Sequence, residues 1–251
     1  MVFRFLIMIC ALLLQLSSGM ANAQPYVAGG TDWRPFSYAN EHGELHGVSV
    51  DIARQALKRA NIEARFVSYP VNRLQAMLHR GEVDINYAES PAWTRPENRN
   101  RYVFSVPYLT VQEHLYFLAD DPNIKTPITQ LQGMTIGVVR GYTYHVLDAA
   151  VQEKRITRLE TSKDLVLLEL LRNKRVDAVA MVDDLYDFLV ATHQIDPASF
   201  RQGAQLSAAP LCIMLLSKHA NLLPDINAAI IDLQRRGEVK RVRELYRTPP
   251  R

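Results

Sequence analysis

Short runs of β-branched and other apolar residues alternate with segments of helical periodicity along most of this 251-residue chain. The predicted strands are residues 26–29, 64–68, 83–87, 115–118, 135–139, 176–182 and 211–216. The predicted helices repeat apolar residues every three to four positions and are residues 52–60, 74–78, 165–171, 185–189, 226–233 and 239–245. This alternation predicts an α/β fold with mainly parallel strands.

Residues at two predicted helix boundaries are of types that commonly begin or end a helix. Asp164 precedes the 165–171 helix, where a carboxylate can cap the helix start or complement its partial positive charge. Gly237 separates the last two helices, as expected of a residue that commonly ends a helix.

A weak internal repeat refines the prediction. Residues 74–85 and residues 167–178 both follow the order helix, turn and strand, and each strand begins with valine and aspartate, at Asp84 and at Asp177. The repeat indicates two similar α/β lobes. Because open α/β sheets bind ligands beyond the carboxyl ends of their strands, two facing lobes would hold a small molecule between them.

The amino terminus has the pattern of a signal peptide. Arg4 is the only charge before the apolar run 5–16, and Ala21-Asn22-Ala23 has the small-x-small pattern of a cleavage site. A retained membrane anchor is the alternative, but the apolar run is shorter than the roughly 20 residues that a span needs. Residues 1–23 are therefore predicted to be removed, which leaves a soluble periplasmic protein beginning at Gln24. Cys10 lacks the small preceding residues of a lipid-attachment site, so no lipid anchor is expected.

Composition narrows the class of protein. Hydrophobic residues make up 48% of the chain and charged residues 22%, enough for one large or two small globular domains. The 29 basic and 26 acidic residues give a net charge of +3 and are scattered along the chain. Nucleic acid is therefore not an expected partner.

Cysteines and histidines give no sign of a cofactor. Removal of the signal peptide leaves Cys212 without a disulfide partner, and its apolar neighbours predict a core position. His42 and His46 flank a predicted hairpin turn without a third ligand, so no metal site is expected.

A series of short motifs covers nearly the whole mature length. They are residues 30–36 (GTDWRPF), 43–51 (GELHGVSVD), 78–84 (LHRGEVD), 94–99 (TRPENR), 104–108 (FSVPY), 131–141 (LQGMTIGVVRG) and 237–246 (GEVKRVRELY). In order and spacing they resemble the periplasmic solute-binding proteins of the polar amino acid type, extracellular solute-binding family 3.

The resemblance implies a two-lobed, type II periplasmic binding protein fold. Lobe 1 would comprise residues 24–110 and 205–251, and lobe 2 residues 111–204. The chain would cross between the lobes after Tyr108 and before Leu211, and these crossings would act as a hinge that closes the lobes over a ligand.

The resemblance also points to an arginine that holds a ligand carboxylate. A planar guanidinium matches a carboxylate with paired donors, and Arg99 lies where the family places such a residue after a threonine. The distance from Asp84 to Arg99 is two to three residues longer than is usual for the family, so Arg73 and Arg95 are alternatives. A further alternative is that these arginines are solvated surface charges. Ser90 and Thr94 could complete the carboxylate site with hydroxyl or amide donors, although plain loop roles are an alternative.

Other candidate ligand contacts follow the remaining strands. Thr143 is placed to bind an anion near a helix start or to cap that helix without a ligand. Asp183 or Asp184 would bind an ammonium group or cap the 185–189 helix, and Asp32 is a second candidate for the ammonium. Trp33 could stack on a ligand side chain, the alternative being core packing.

The resemblance implies a binding protein that delivers a small polar ligand, an amino acid or related carboxylate, to an ABC permease in the inner membrane. We expect a monomer without catalytic residues. One alternative is a periplasmic enzyme of the same fold, similar to cyclohexadienyl dehydratases, with Glu89 as a conceivable acid. Another is a ligand sensor that reports to a membrane receptor.

Overall fold

The protein is described here by a computed structural model of residues 24–193 and 195–247, so the predicted signal peptide lies outside the described residues. The strands are β1 Tyr26–Gly30, β2 Tyr38–Ala39, β3 Leu45–His46, β4 Ala64–Ser68, β5 Ile85–Glu89, β6 Tyr102–Phe104, β7 Leu109–Leu118, β8 Met134–Val139, β9 Ile156–Thr161, β10 Ala178–Val182 and β11 Phe200–Leu216.

The α-helices lie between these strands and after them. They are α1 Val48–Arg59, α2 Val71–Arg80, α3 His145–Gln152, α4 Leu167–Arg172, α5 Asp183–Thr192, α6 Leu223–Arg235 and α7 Glu238–Arg247. Short 3-10 helices span Pro96–Arg101, Ile128–Gln130, Asp164–Val166, Pro197–Ser199 and Ser217–Leu222.

One curled sheet runs through two lobes, in the order β4-β1-β5-β11-β7-β10-β8-β9, with β6 paired to β11. Lobe 1 contains β4, β1, β5 and β6, and lobe 2 contains β10, β8 and β9. This confirms the predicted two-lobed α/β fold. The pairs β1–β4, β1–β5, β8–β9 and β10–β8 are parallel, as expected. The sheet as a whole is nevertheless mixed, because β7 and β11 run antiparallel to their neighbours.

The two long strands β7 and β11 connect the lobes. β11 pairs with β7 from Phe200 opposite Leu118 to Leu211 opposite Leu109, and its last residues pair with β5 and β6. β11 therefore belongs to both half-sheets. The predicted crossings after Tyr108 and before Leu211 coincide with these strands, and the predicted lobe boundaries at 110/111 and 204/205 fall inside them.

Amphipathic sequences explain the helices. In α1, Ile52, Ala56 and Leu57 are buried, while Lys58 and Arg59 at its end suit the negative end of the helix dipole. α2 ends at Gly81, which has a φ of 75°, and Gly237, with a φ of 69°, separates α6 from α7. These are left-handed conformations that glycine adopts without the steric cost of a Cβ.

The weak sequence repeat is a structural repeat. In lobe 1, the Asp84 carboxylate accepts a hydrogen bond of 3.0 Å from the backbone amide of Val27, at the start of the neighbouring strand β1. In lobe 2, the Asp177 carboxylate accepts one of 2.7 Å from the amide of Thr135 on β8. Each aspartate thus ties the start of one parallel strand to the next. Both aspartates lie just before the regular part of their strand. β5 and β10 therefore begin two residues later than predicted.

Cys212 is 2% exposed within β11, as its apolar neighbours predicted. Burial raises the pKa of its thiol to about 11, which suppresses the reactive thiolate. The predicted core position of Cys212 is confirmed.

Candidate functional site

The carboxyl ends of parallel strands from the two lobes face one another. Trp93, in the loop after β5, accepts a hydrogen bond of 3.3 Å at its carbonyl from the hydroxyl of Thr143, which follows β8. At a second point, the Gln75 side chain of α2 donates to the carbonyl of Gly141 at 3.5 Å. The lobes therefore touch across the cleft in which the sequence predicted a ligand.

Trp33 and Asp32 follow β1 at the lobe 1 side of this cleft. Trp33 is 6% exposed, and its ring lies 4.2 Å from that of Phe36 and 5.9 Å from that of Trp93, measured between centroids. It is thus part of the lobe 1 core, shielded by the same loop that contacts Thr143. Asp32 is exposed. Ligand contact by either residue stays a prediction.

The hydroxyls of Ser90 and Thr94 take part in the loop after β5. Ser90 is fully buried, and its hydroxyl oxygen accepts a hydrogen bond of 3.3 Å from the amide of Ala92. Thr94 donates from its hydroxyl to the carbonyl of Ser90 at 3.5 Å. These bonds fit the plain loop roles, and ligand contact by either hydroxyl stays a prediction.

Arg99 lies in the 3-10 helix Pro96–Arg101 and is exposed. Among the described residues, no side chain pairs with Arg99 or with Arg95. The Arg73 guanidinium covers the ring of Tyr69 at 4.9 Å. The structure therefore brings none of these three candidates to a carboxylate of the protein, and the choice between them stays a prediction.

Asp183 and Asp184 begin α5 and point to different partners. The Asp183 carboxylate accepts a hydrogen bond of 2.9 Å from the Tyr116 hydroxyl. The same carboxylate oxygen lies 2.9 Å from the Nδ1 atom of His114, and both partners are on β7. Asp184 is 8% exposed and forms a two-pronged ion pair with Arg243 of α7, at 3.0 and 2.9 Å. Asp184 is thus committed to the packing of α5 against α7, whereas Asp183 keeps one carboxylate oxygen for other contacts.

Three further carboxyl groups, Glu89, Glu113 and Asp164, have a pKa raised to about 7. The sequence predicted no ligand role for Glu113 or Asp164 and indicated Glu89 only as a conceivable catalytic acid. Burial raises the pKa of Glu89, at the end of β5, although it accepts hydrogen bonds of 3.0 Å from the Ser90 amide and the Asn86 side chain. Burial also raises the pKa of Glu113 on β7, which receives a single 3.3 Å hydrogen bond from Ser207. Asp164 is the third, and burial and the nearby charge of Asp32 raise its pKa.

Asp164 lies on the lobe 2 side of the cleft and faces lobe 1. It is 7% exposed, and its Oδ2 atom has no hydrogen-bond partner among the described residues. Asp32 and Arg34, which follow β1, are the charged groups that act on its pKa from lobe 1. Its position after β9 was visible in the sequence, but it was interpreted as a helix cap because burial across two lobes leaves no local signal.

Tyr142 is a further titratable residue on which these acids act. Burial and the charge of Asp164 raise the pKa of its hydroxyl far above the usual value, Glu113 and Asp32 add to this, and the nearby Thr31 hydroxyl opposes it. Thr31 follows β1 and Tyr142 follows β8, so groups of both lobes act on this side chain.

Arg34 is the basic residue that acts on this part of the cleft. Its guanidinium carbon lies 4.7 Å above the ring of Tyr38, and its buried Nε atom has no partner among the described residues. Arg34 and Asp164 influence each other but do not approach within the 4.0 Å of an ion pair. Among the described residues, Arg34 and Asp164 are therefore not paired to each other.

Comparison with known proteins assigns the family. Residues 26–248 match the bacterial extracellular solute-binding proteins, family 3. The chain belongs to this family. Within the described residues, no helix is long and apolar enough to cross a membrane.

Relatives in this family are named for the amino acids that they bind. The chain is 29% identical over 116 residues to the histidine-binding periplasmic protein of Escherichia coli (strain K12), covering 45% of this chain and 44% of the relative. The chain thus spans less than half the length of that relative. It is 26% identical to the L-cystine-binding protein TcyJ of Escherichia coli (strain K12), over 84% of this chain and 78% of TcyJ. It is also 26% identical to the arginine-binding periplasmic protein of Mannheimia haemolytica, over 88% and 90% of the two chains.

Solved structures share the fold. An ancestral arginine-binding protein bound to arginine superposes with a TM-score of 0.74 at 21% identity, over 88% of this chain and 97% of that one. AncCDT-1, an ancestral amino acid-binding protein described as a precursor of cyclohexadienyl dehydratase, gives a TM-score of 0.72 at 17% identity, over 90% and 96%. At these identities the likeness concerns the fold alone.

Proposed function

We propose that this chain is a periplasmic solute-binding protein that captures a small amino-acid-like ligand and delivers it to an ABC permease in the inner membrane. One observation carries the proposal: two lobes joined by only two long strands contact each other at the carboxyl ends of their parallel strands. Such a cleft suits a small molecule that is enclosed when the lobes close. The names of the relatives support an amino acid as the ligand.

The proposed ligand contacts combine the candidates from the sequence with the geometry. Asp32 and Trp33 follow β1, Ser90 and Thr94 follow β5, Thr143 follows β8 and Asp183 follows β10, so all of them lie after a strand end that faces the cleft. Arg99 is the proposed carboxylate anchor, and its exposure leaves the guanidinium free to meet a ligand. The second proposed element is export: cleavage after Ala23 would release a monomer into the periplasm.

A thermal-shift screen of the twenty standard amino acids tests the ligand class. A ligand at 100 times its dissociation constant adds about 2.7 kcal/mol to the free energy of unfolding, so one binder should stand out. Calorimetry then gives its affinity, and small-angle scattering should show a smaller radius of gyration at saturation. An absence of any binder in the panel would contradict the proposed ligand class.

The anchor is tested by Arg99→Ala, measured by calorimetry with the amino acid that the screen identifies. Loss of a buried charge-assisted contact typically costs about 2 to 5 kcal/mol, which corresponds to affinity at least about thirtyfold weaker. Arg99→Lys should recover only part, because an ammonium keeps the charge but loses the paired donors. Arg95→Ala and Arg73→Ala are the matched controls. If one of them abolishes binding while Arg99→Ala stays within about threefold of wild type, that other arginine is the anchor.

An enzyme of the same fold is the second candidate, because Glu89 is a carboxylic acid with a pKa of about 7 at the edge of the cleft. Its two oxygens already accept hydrogen bonds from Ser90 and Asn86, which favours a structural role. Incubation with prephenate or arogenate, followed by chromatography of the products, distinguishes the two functions. We expect no turnover above that of the Glu89→Gln variant.

A further inference from the structure

Asp164 is a buried carboxyl group with an unused acceptor. It begins the 3-10 helix Asp164–Val166 directly after the loop that leaves β9. The side chain is 7% exposed and Oδ2 lacks a hydrogen-bond partner among the described residues. Buried polar atoms in native proteins nearly always have a partner, and leaving one unpaired costs about 1 to 3 kcal/mol, more when the group is charged. An unpaired carboxylate oxygen at a cleft therefore indicates a partner that the described residues do not supply.

The groups that surround Asp164 come from both lobes. Asp32 and Arg34 lie on the lobe 1 side, where the Asp32 carboxylate disfavours the ionised form of Asp164 and the Arg34 guanidinium favours it. Tyr142 and Tyr144 lie on the lobe 2 side, and the charge of Asp164 raises the pKa of both tyrosines. The backbone amides of Asp164 and Leu165 also favour the carboxylate, consistent with a helix start. These amides account for the local role of the side chain but leave Oδ2 free.

The charges that act on Asp164 leave it without an ion-pair partner. Asp32 and Arg34 are of opposite sign, so together they do not offset the charge of an ionised Asp164 carboxylate. No ion pair within 4.0 Å joins Arg34 to Asp32 or Asp164 in the described part of the chain. A ligand that carries a positive group would supply the missing charge and a donor for Oδ2 together.

We propose that Asp164 binds the ligand directly, through Oδ2, and that the ligand presents a guanidinium or ammonium group to it. This inference rests on the proposed solute-binding function and narrows its ligand class to cationic amino acids and related amines. Asp32 adds long-range attraction for the same group. Asp164 is thus a specificity residue on lobe 2, in addition to the candidate contacts after β8 and β10.

The binding test uses Asp164→Asn, with L-arginine, L-lysine and agmatine as cationic probes and L-histidine, L-glutamine and L-cystine as probes without net positive charge at pH 8. Asparagine keeps the shape and can still accept from the Leu165 amide. The matched control is Glu169→Gln, which removes an exposed carboxylate from α4 in the same segment. We expect calorimetry at pH 8 to show at least one cationic probe bound by wild type, at least thirtyfold weaker binding by Asp164→Asn, and a change of less than twofold in Glu169→Gln.

The two proposals fail in different ways. If wild type binds only L-glutamine, L-cystine or another neutral amino acid, and Asp164→Asn binds it equally well, the solute-binding function stands and the role of Asp164 is overturned. If a cationic probe binds and Asp164→Asn leaves its affinity unchanged, the role of Asp164 is overturned as well. If no amino acid or amine binds wild type, both proposals are contradicted.

A stability measurement separates ligand binding from helix capping. For a carboxyl group whose pKa is raised by folding, stability is full at low pH and is lost as the pH rises through about 7. The loss begins near the ordinary pKa of about 4, so Asp164→Asn should raise the melting temperature of the ligand-free protein at pH 8 and leave it nearly unchanged at pH 3.5. A lower melting temperature at both pH values would identify Asp164 as a structural cap and overturn its assignment to the ligand.

Discussion

The two lobes contain the same aspartate-to-backbone hydrogen bond at equivalent places, yet the surroundings of the two aspartates differ. Asp84 in lobe 1 and Asp177 in lobe 2 each begin a strand after a helix and a turn, and each carboxylate accepts a hydrogen bond from the backbone of the adjacent parallel strand. Asp84 has more partners, because its Oδ1 atom lies 2.9 Å from His219 Nε2 and 3.6 Å from Lys218 Nζ. Asp177 is exposed and has the backbone contact alone.

From this difference we infer that the local sequence determines where each aspartate lies, whereas tertiary contacts determine how much it contributes to stability. Valine and aspartate after a helical turn place a carboxylate at the start of the strand in both lobes. His219 and Lys218 come from the 3-10 helix that follows β11, far along the chain, and only lobe 1 receives them. The same motif should therefore stabilise lobe 1 more than lobe 2.

Asp84→Ala should cause the largest loss of stability. It leaves the Val27 amide without its acceptor and removes the partner of His219, so we expect the free energy of unfolding to fall by about 3 kcal/mol. Urea unfolding followed by circular dichroism measures this value. Asp84→Asn is the control, since its amide oxygen can still accept from Val27, and it should lose clearly less. Equal losses in the two variants would show that the backbone contact contributes little.

The stability advantage that Asp84 gives should depend on pH. The amide of Val27 and the nearby His219 and Lys218 outweigh burial and lower the pKa of Asp84. A carboxyl group with a lowered pKa contributes stability above its ordinary value near 4 and loses it as the pH falls through the folded-state pKa. Urea unfolding of wild type and Asp84→Ala at pH 6 and pH 3 should therefore show a smaller difference at pH 3. A constant difference would mean that packing, not charge, explains the loss.

Asp177→Ala should be milder. The variant loses one hydrogen bond at an exposed site where water can replace it, so the free energy of unfolding should fall by about 1 kcal/mol. The measurement is the same urea titration, in the same buffer as for Asp84→Ala. A loss as large as that of Asp84→Ala would refute the idea that the partners of Asp84 make the difference.

The smallest effect is expected where the lobes meet. Thr143→Val removes the 3.3 Å hydrogen bond to the Trp93 carbonyl and should lower the free energy of unfolding by about 0.5 kcal/mol, because the carbonyl can turn to water. Thr143→Ser keeps the hydroxyl and should behave as wild type. A loss above about 2 kcal/mol in the valine variant would show that lobe contact, and not only the core of each lobe, stabilises the fold.

Sequence patterns predicted most of the fold because strands and helices with one buried face leave a periodic trace. β4 was predicted with its observed bounds, and β1 and β8 to within one residue. β7 was predicted only at its end, because Gln112, Glu113 and His114 interrupt the apolar pattern where the strand crosses between lobes. β11 was shortened for a similar reason, since its first half is rich in polar and small residues.

The candidate site was less predictable than the fold. Thr143 lies at the lobe contact, but Asp164 was interpreted from its neighbours in sequence, as part of a helix start. The lobe 1 charges that act on it, Asp32 and Arg34, lie more than 100 positions earlier, and no local pattern reports them. Glu113 was missed for a related reason, because a polar residue in a strand looks like an exposed position from sequence alone.

The continuity of β11 has a consequence for how the chain matures. Lobe 2 is one uninterrupted stretch between Leu109 and Leu211, which pair with each other, whereas lobe 1 lacks the end of β11, α6 and α7 until the last part of the chain has been made. Until then, β5 has no partner on the side where β11 will lie, and an unpaired strand edge is prone to pair with other chains. During synthesis we therefore expect the second lobe in the sequence to fold first. The lobe that begins the protein would be the last to become complete.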